Sequence, residues 1–217
     1  MSASEQFKIV SNLADEVFKP IGVVRKDRCR MWLDDHGWWA TVVEFGPSNS
    51  PKGMCLNVCI NWQWYPESCM TYDLIFKESG FAEFENEEQF RTAALKLVDL
   101  AKARILEIRE HLKTPQGSRE YVLENTVGDD NNVWANLNKG MVCLITGRSD
   151  LAQAFLDNVL NSSDGRYQAE KVKEFAKWFI KLSPKDKVAF INDELQASKY
   201  RAVKIQADAR RFVHLRR

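Results

Sequence analysis

The hydrophobic period of the chain changes twice, and the changes mark out its organisation. Near the start, Phe7, Val10, Leu13, Ala14 and Val17 recur at helical spacing, behind a Ser2/Glu5 pair in capping-box register. Pro20 and Gly22 stop that helix. From Val23 the period approaches two: Val23, Cys29, Met31 and Leu33 alternate with polar or basic neighbours, and Asp34-Asp35-His36-Gly37 supplies a turn before Trp38. This predicts a hairpin reaching Phe45. The stretch from Gly46 to Gly53 carries so many breakers that it reads as a mobile loop. Beyond it Met54, Leu56, Val58, Ile60 and Trp62 alternate with Cys55, Asn57, Cys59, Asn61 and Gln63, a third strand, and Cys69 to Phe76 is a fourth candidate.

Then the period returns to that of a helix. Asn86 and Gln89 open a long one, whose stripe is Phe90, Ala94, Leu97, Ala101, Ile105, Ile108 and Leu112, and Pro115 and Gly117 end it. Further helices are predicted over Val133 to Thr146, Ser149 to Leu160 and Arg166 to Leu182. A last one opens at Ser183-Pro184 with Asp186, and its stripe runs from Val188 to Phe212 or breaks near Ser198. Gly140, Gly147 and Ala152 are spaced like the small residues of one tetratricopeptide-type hairpin, but no second copy follows, so a plain helical hairpin is expected. The fold class is therefore α+β: an antiparallel meander sheet of three to five strands packed by a long helix, followed by an all-helical C-terminal half. Its parts are an α+β domain over residues 1–114 and a helical region over 118–217.

Composition adds limits. With 217 residues, 45% of them hydrophobic and 28% charged, the chain is an ordinary globular one with enough length for a sizeable core. It has no apolar run of the roughly 18 residues that cross a bilayer and no secretory pattern at its start, so a cytoplasmic protein without membrane contact is expected. The five cysteines are an odd number, which favours reduced thiols. The net charge of +1 conceals a basic end, where Lys199, Arg201, Lys204, Arg210, Arg211, Arg216 and Arg217 face only Asp208. Arg210 and Arg211 are accordingly candidates for weak contact with a polyanion.

Candidate chemistry is sparse. Cys55 and Cys59 fall on one face of a strand roughly 13 Å apart, too far for one strand to chelate with both, so no metal is expected. Among the three histidines, His111 stands near the end of the long helix, His214 in the basic tail, and His36 in a turn beside Asp34 and Asp35. A solvated turn is the plain reading of His36; an oriented acid–base pair with either aspartate is the alternative, and would make the protein hydrolase-like if a cleft joined the turn to Glu44, Glu67 or Asp73. Glycine-rich phosphate loops, paired metal-binding helix motifs and strained Gly-x-Ser-x-Gly turns are absent, so no cofactor is expected and no catalytic residue is assigned.

The densest feature is aromatic. Trp32, Trp38, Trp39, Trp62 and Trp64 are five of the seven tryptophans. Adjacent residues of a strand face opposite ways, so Trp38 and Trp39 cannot both enter one core. The plain reading is cross-strand packing. Alternatively Trp38, Trp39, Trp62 and Trp64 anchor a protein interface, or stack nucleic-acid bases beside Arg25, Lys26, Arg28 and Arg30.

Phe18-Lys19-Pro20-Ile21-Gly22, Arg25-Lys26, Trp38-Trp39 with Val42-Val43-Glu44-Phe45, the segment Lys52-Gly53-Met54-Cys55-Leu56-Asn57-Val58, and Phe90 opening a helix form a pattern. It resembles bacterial families of domains of unknown function, built from a helix, a meander sheet, a long helix and a helical tail. The resemblance implies that architecture and a bacterial origin; it implies no reaction and transfers no site. The function expected is that of a non-enzymatic protein-interaction module, an accessory or immunity-like factor. Nucleic-acid binding through the basic tail and exposed tryptophans is the first alternative, and a hydrolase around His36 the second.

Overall fold

A computed structural model describes residues 2–26, 29–64, 72–76 and 80–190. Helix α1 spans Ala3–Phe18 and starts with the expected capping box: the Glu5 amide donates to Ser2 Oγ at 3.3 Å, and Glu5 Oε2 accepts from the Ser2 amide at 2.6 Å. A short 3-10 turn over Lys19–Ile21 follows, and Gly22, at φ 78°, takes the left-handed position that ends it.

The sheet is an antiparallel meander of β1 (Val24–Arg25), β2 (Met31–Asp35), β3 (Trp39–Asn49), β4 (Lys52–Trp62) and β5 (Leu74–Ile75), in chain order. A further strand, β6 (Phe81–Glu83), also pairs with β4, at Gly53–Cys55, while β5 pairs at Cys59 and Ile60. Among the described residues the sheet thus has six strands, against the three to five expected. β5 falls within the fourth strand expected over Cys69 to Phe76, and the additions, β1 and β6, are two and three residues long, too short for an alternation to register in the sequence.

The predicted loop from Gly46 to Gly53 is instead the far end of a hairpin. Gly46 pairs with Cys55, Pro47 with Met54 and Asn49 with Lys52, which leaves Ser50-Pro51, joined by a cis peptide, as the turn. Strand β2 ends opposite Glu44, so beyond it β3 has a partner on one side only, and a proline is tolerated there. Gly53 has a packing reason of its own, since a Cβ at that position would collide with the Ala82 carbonyl of β6.

Helix α2 (Glu87–His111) is capped by Asn86, which accepts from the Gln89 amide, and its whole predicted stripe is buried. With α1 it covers the inner face of the sheet, where Val43 and Phe45 meet Leu56 and Val58. The outer face holds a separate small cluster of Leu33, Val42 and Cys59, in line across β2, β3 and β4. The outer face is buried only around this cluster, with Asn57 exposed and Cys55 half-buried, whereas Trp32 lies on the inner face in the main core.

Pro115 and Gly117 do more than stop α2. They open α3 (Pro115–Asn125), with Thr114 as its N-cap and the proline in the first turn, where a missing amide hydrogen costs nothing. Helices α4 (Val133–Ile145), α5 (Ser149–Asn161) and α6 (Tyr167–Lys181) lie within two residues of their predicted limits, and α7 (Pro184–Ala189) begins behind Ser183 as expected. Gly140 lets α4 and α5 approach, since a Cβ on it would lie 3.0 Å from Leu156 Cγ. Gly147, at φ 80°, closes α4 with the Arg148 amide reaching the Cys143 carbonyl and its own amide the Leu144 carbonyl, a Schellman motif. The buried apolar residues of the sheet, α1, α2 and the later helices form one contiguous cluster. The predicted tail stripe, Ser198, Cys69 and Met70 lie outside the described residues.

Candidate functional site

Among the described residues, two regions bring chemistry-bearing side chains together, one of them closed and the other open. The first is the end of the sheet where β2 turns into β3. Trp39 and Trp62 are register partners on the inner face, and Trp64 follows in the turn after β4. The rings of Trp38, Trp62 and Trp64 are parallel to within 13°, with centroids 5.2 to 5.7 Å apart in all three pairings. Near-equal separations mean mutually offset rings, the favoured geometry for parallel aromatics. Trp39, Trp62 and Trp64 are buried and Trp38 is half-buried. The Trp64 indole donates to Asn138 Oδ1 of α4 at 2.9 Å, and Trp32 donates to Asp15 Oδ1 of α1 at 2.7 Å. These indoles are the joint between sheet and helices, so the exposed stacking surface considered from the sequence is reduced to part of Trp38.

The arginines expected beside them are elsewhere. Arg25 pairs with Trp32 across the sheet, at the opposite end of β2 from Trp38, and its guanidinium lies 5.1 Å from both the Phe7 and the Trp32 ring centroids. Arg30 packs on Phe7 at 5.2 Å. Both serve the seam between α1 and the sheet. Arg28, Arg210 and Arg211 lie outside the described residues.

His36 is more constrained than a solvated turn residue. Asp34 falls on the inner face of β2, and a carboxylate buried there requires partners. Arg109 of α2 donates to both its oxygens at 2.6 and 2.9 Å and to the Ile21 carbonyl at 2.7 Å. His36 Nε2 lies 2.9 Å from Asp34 Oδ2, and its ring stacks on Trp39 with centroids 4.2 Å apart. Burial by itself pushes the Asp34 carboxyl up, but the hydrogen bonds from His36 and Arg109 outweigh it and hold the group below its ordinary value. The imidazole is thus oriented by a carboxylate, as an acid–base pair requires, yet that carboxylate is already the anchor tying β2 to α2. Of the other groups such an enzyme would need, Glu44 accepts from the Tyr72 hydroxyl at 3.1 Å, Asp73 accepts from the Trp62 amide at 2.8 Å, and Glu67 lies outside the described residues.

Among the described residues no group of acidic, histidine and cysteine side chains could hold a metal ion. Cys29, Cys55, Cys59 and Cys143 are free thiols, and burial pushes the Cys59 thiol up. No described helix is long and apolar enough to cross a membrane.

The second region is a cleft of about 540 Å³ between the last turns of α2 and the length of α3. Arg104, Glu107 and His111 line one side, at the i, i+3, i+7 spacing of a single helix face. Gly117, Glu120, Tyr121 and Glu124 line the other at the same period. The angle between the helices is set at Gly117, whose amide donates to Thr114 Oγ1 and where a Cβ would come within 2.7 Å of the His111 carbonyl. Arg104 is held against the wall: its guanidinium donates to both Glu107 oxygens at 2.8 and 3.0 Å and lies 4.9 Å from the Phe76 centroid. His111 stacks on Tyr121 with centroids 4.7 Å apart.

Three features of this cleft are left unbalanced. Tyr121 is 8% exposed, and its hydroxyl, which is not enclosed, has no hydrogen-bond partner among the described residues. Burial, with Glu107 nearby, pushes that hydroxyl up to about 12, so it remains a donor at neutral pH. Glu124 makes no ion pair or hydrogen bond among the described residues, and Glu120 accepts only from Gln116 Nε2, at 2.7 Å. In the sequence alone, Tyr121, Glu120 and Glu124 do not stand out. The available signals were a lone aromatic in a polar stretch and two glutamates four apart beyond a Thr-Pro cap.

Comparison with known proteins adds no relative: no family model, no curated protein and no solved structure matches this chain.

Proposed function

We propose that the protein is a non-enzymatic, cytoplasmic protein-interaction module that receives a partner segment in the cleft between α2 and α3. The observation that carries this reading is the contrast in saturation. At the sheet end, Asp34, Arg109 and three of the four candidate indoles are already spent on holding elements together. In the cleft a buried tyrosine and two carboxylates of α3 face open space without partners of matching strength. Polar groups that open into a concavity without a protein partner of matching strength support a ligand that completes them. An accessory or immunity-like role fits a chain whose described polar clusters stabilise structure and whose open groups suit recognition.

Site-specific photocrosslinking tests the reading. With p-benzoylphenylalanine in place of Asn125 at the rim, irradiation in producing cells is expected to give a discrete protein adduct. The same group in place of Tyr167, exposed on α6, should give none, and a Tyr121→Ala change should abolish the Asn125 adduct. Equal adducts at both positions, or none at Asn125, would overturn it. An adduct removed by nuclease would transfer the cleft to the nucleic-acid alternative.

A further inference from the structure

The charges of α3 are placed against its own stability. Glu120 and Glu124 are four apart on one face, where like charges repel, and Glu124 stands in the last turn, where the helix dipole favours a cation and no basic residue is present. Local choices that oppose the fold concentrate where a sequence is shaped for something else. A cation lying between these carboxylates would relieve both conflicts. The opposite wall shows which cation this environment accommodates, because Arg104 is held there by an aromatic ring beneath its guanidinium and a carboxylate at its edge. On the α3 side the same elements recur: the Tyr121–His111 stack, and the carboxylates of Glu120 and Glu124.

We infer that the cleft recognises an arginine side chain of a partner protein, its guanidinium bound by Glu120 and Glu124 and packed against Tyr121. The inference rests on the interaction-module reading and names the chemistry of its partner. Arginine suits the site better than lysine. Its planar, weakly hydrated head stacks on aromatic rings, and its five fixed N–H donors can serve two carboxylates and the tyrosine oxygen together. A partner segment is favoured over the free amino acid because the latter brings a carboxylate into a cleft that already holds three.

The test uses the full chain and four blocked peptides, acetyl-Gly-X-Gly-amide with arginine, lysine, citrulline or glutamate at X, together with free L-arginine. Binding is followed by backbone amide NMR shifts in the millimolar range expected of so small a probe. The arginine peptide should shift amides of α3 and the end of α2, the lysine peptide more weakly, and the citrulline and glutamate peptides not at all. Glu120→Gln with Glu124→Gln should weaken the arginine peptide at least about tenfold, as loss of charge-assisted hydrogen bonds does. Tyr121→Phe, which keeps the ring, should weaken it about threefold. Citrulline binding as well as arginine, or an unchanged affinity in the glutamine variant, would overturn the inference. Free L-arginine binding as tightly as the blocked peptide would overturn the assignment to a partner protein. If the arginine peptide fails while the Asn125 crosslink succeeds, the cleft stands and its chemistry is wrong; if both fail, the reading of the cleft falls with it.

Discussion

The tryptophan-rich end of the sheet and the α2–α3 cleft are both built from aromatic rings and ionised groups, but they are opposites in how those groups are used. At the sheet end the indole and carboxylate heads are answered, Trp64 by Asn138 and Asp34 by Arg109 and His36, although the buried Gln63 Oε1 has no partner among the described residues. In the cleft, Arg104 and Glu107 answer one another while Tyr121 and Glu124 are left without a counterpart among the described residues. Aromatic density is therefore a poor guide to a binding surface in this molecule. A ring whose polar head is satisfied internally is architecture, and a smaller aromatic group left unsatisfied beside open space is the better candidate.

The comparison breaks most visibly at Trp64. It is fully buried, it packs against two parallel indoles and it supplies a hydrogen bond from the sheet to α4. Trp64→Ala should cost about 3–5 kcal/mol, the usual range for an aromatic lost from a core. Denaturant unfolding would show this as a lowered midpoint at unchanged slope. A loss below about 1 kcal/mol would mean that this end is looser than a core, and would reopen it as an interaction surface.

Next is the ion pair behind it. Arg109→Met leaves Asp34 buried with His36 as its one remaining partner among the described residues, and about 3 kcal/mol should be lost, the lower end for a broken buried pair because Arg109 is partly open to solvent. The pH dependence follows from the direction of the shift. Asp34 is held below its ordinary value of 3.8, so its contribution is complete above that value and is lost as pH falls through the lower folded value. Removing Arg109 raises the folded value, so acid unfolding of the variant should begin at a higher pH than in the parent. Acid titrations followed by circular dichroism would measure it, and superimposable acid limbs would contradict the role given to Arg109.

These two sites also show what the sequence could and could not convey. The inner stripe of β4, the stripe of α2 and the caps at Ser2, Asn86 and Ser183 are local patterns, and local patterns were enough for element type and nearly enough for boundaries. Pairing was harder. Nothing near Pro47 or Ser50-Pro51 announces that β3 and β4 stay together to Asn49 and Lys52, because that depends on β2 ending earlier. Asp34 and Arg109 are 75 positions apart, and only the packing of α2 on β2 makes them partners. The adjacent aspartates at 34 and 35 look interchangeable until the pleat sends one inward. The cleft was hidden for a further reason. In the sequence Pro115 and Gly117 signal the end of one helix, and without α3 the residues that line the cleft share no helix face.

A smaller effect is expected at His36. It is partly exposed, stacks on Trp39 and contributes one of the bonds to Asp34, so His36→Ala should lower stability by about 1 kcal/mol. That exceeds what a solvated turn residue would show. Since Arg109 still holds Asp34, the variant should keep its fold and its partner adduct at Asn125. Loss of biological activity with an unchanged melting temperature and an intact adduct would instead promote the hydrolase alternative.

The smallest effect on stability should accompany the largest effect on binding, in the cleft. Glu120→Gln with Glu124→Gln removes two charges that make no ion pair among the described residues and preserves side-chain volume. Surface changes of this kind stay within about 0.5 kcal/mol, and relief of repulsion along α3 acts in the stabilising direction. The melting temperature of the double variant should therefore equal or slightly exceed that of the parent, while its partner adduct at Asn125 disappears. A group kept for architecture, like Arg109, cannot be removed without loss of stability; a group kept for a partner can. A double variant that unfolds more easily would show that Glu120 and Glu124 serve the helix itself, and would erase the distinction between the two regions.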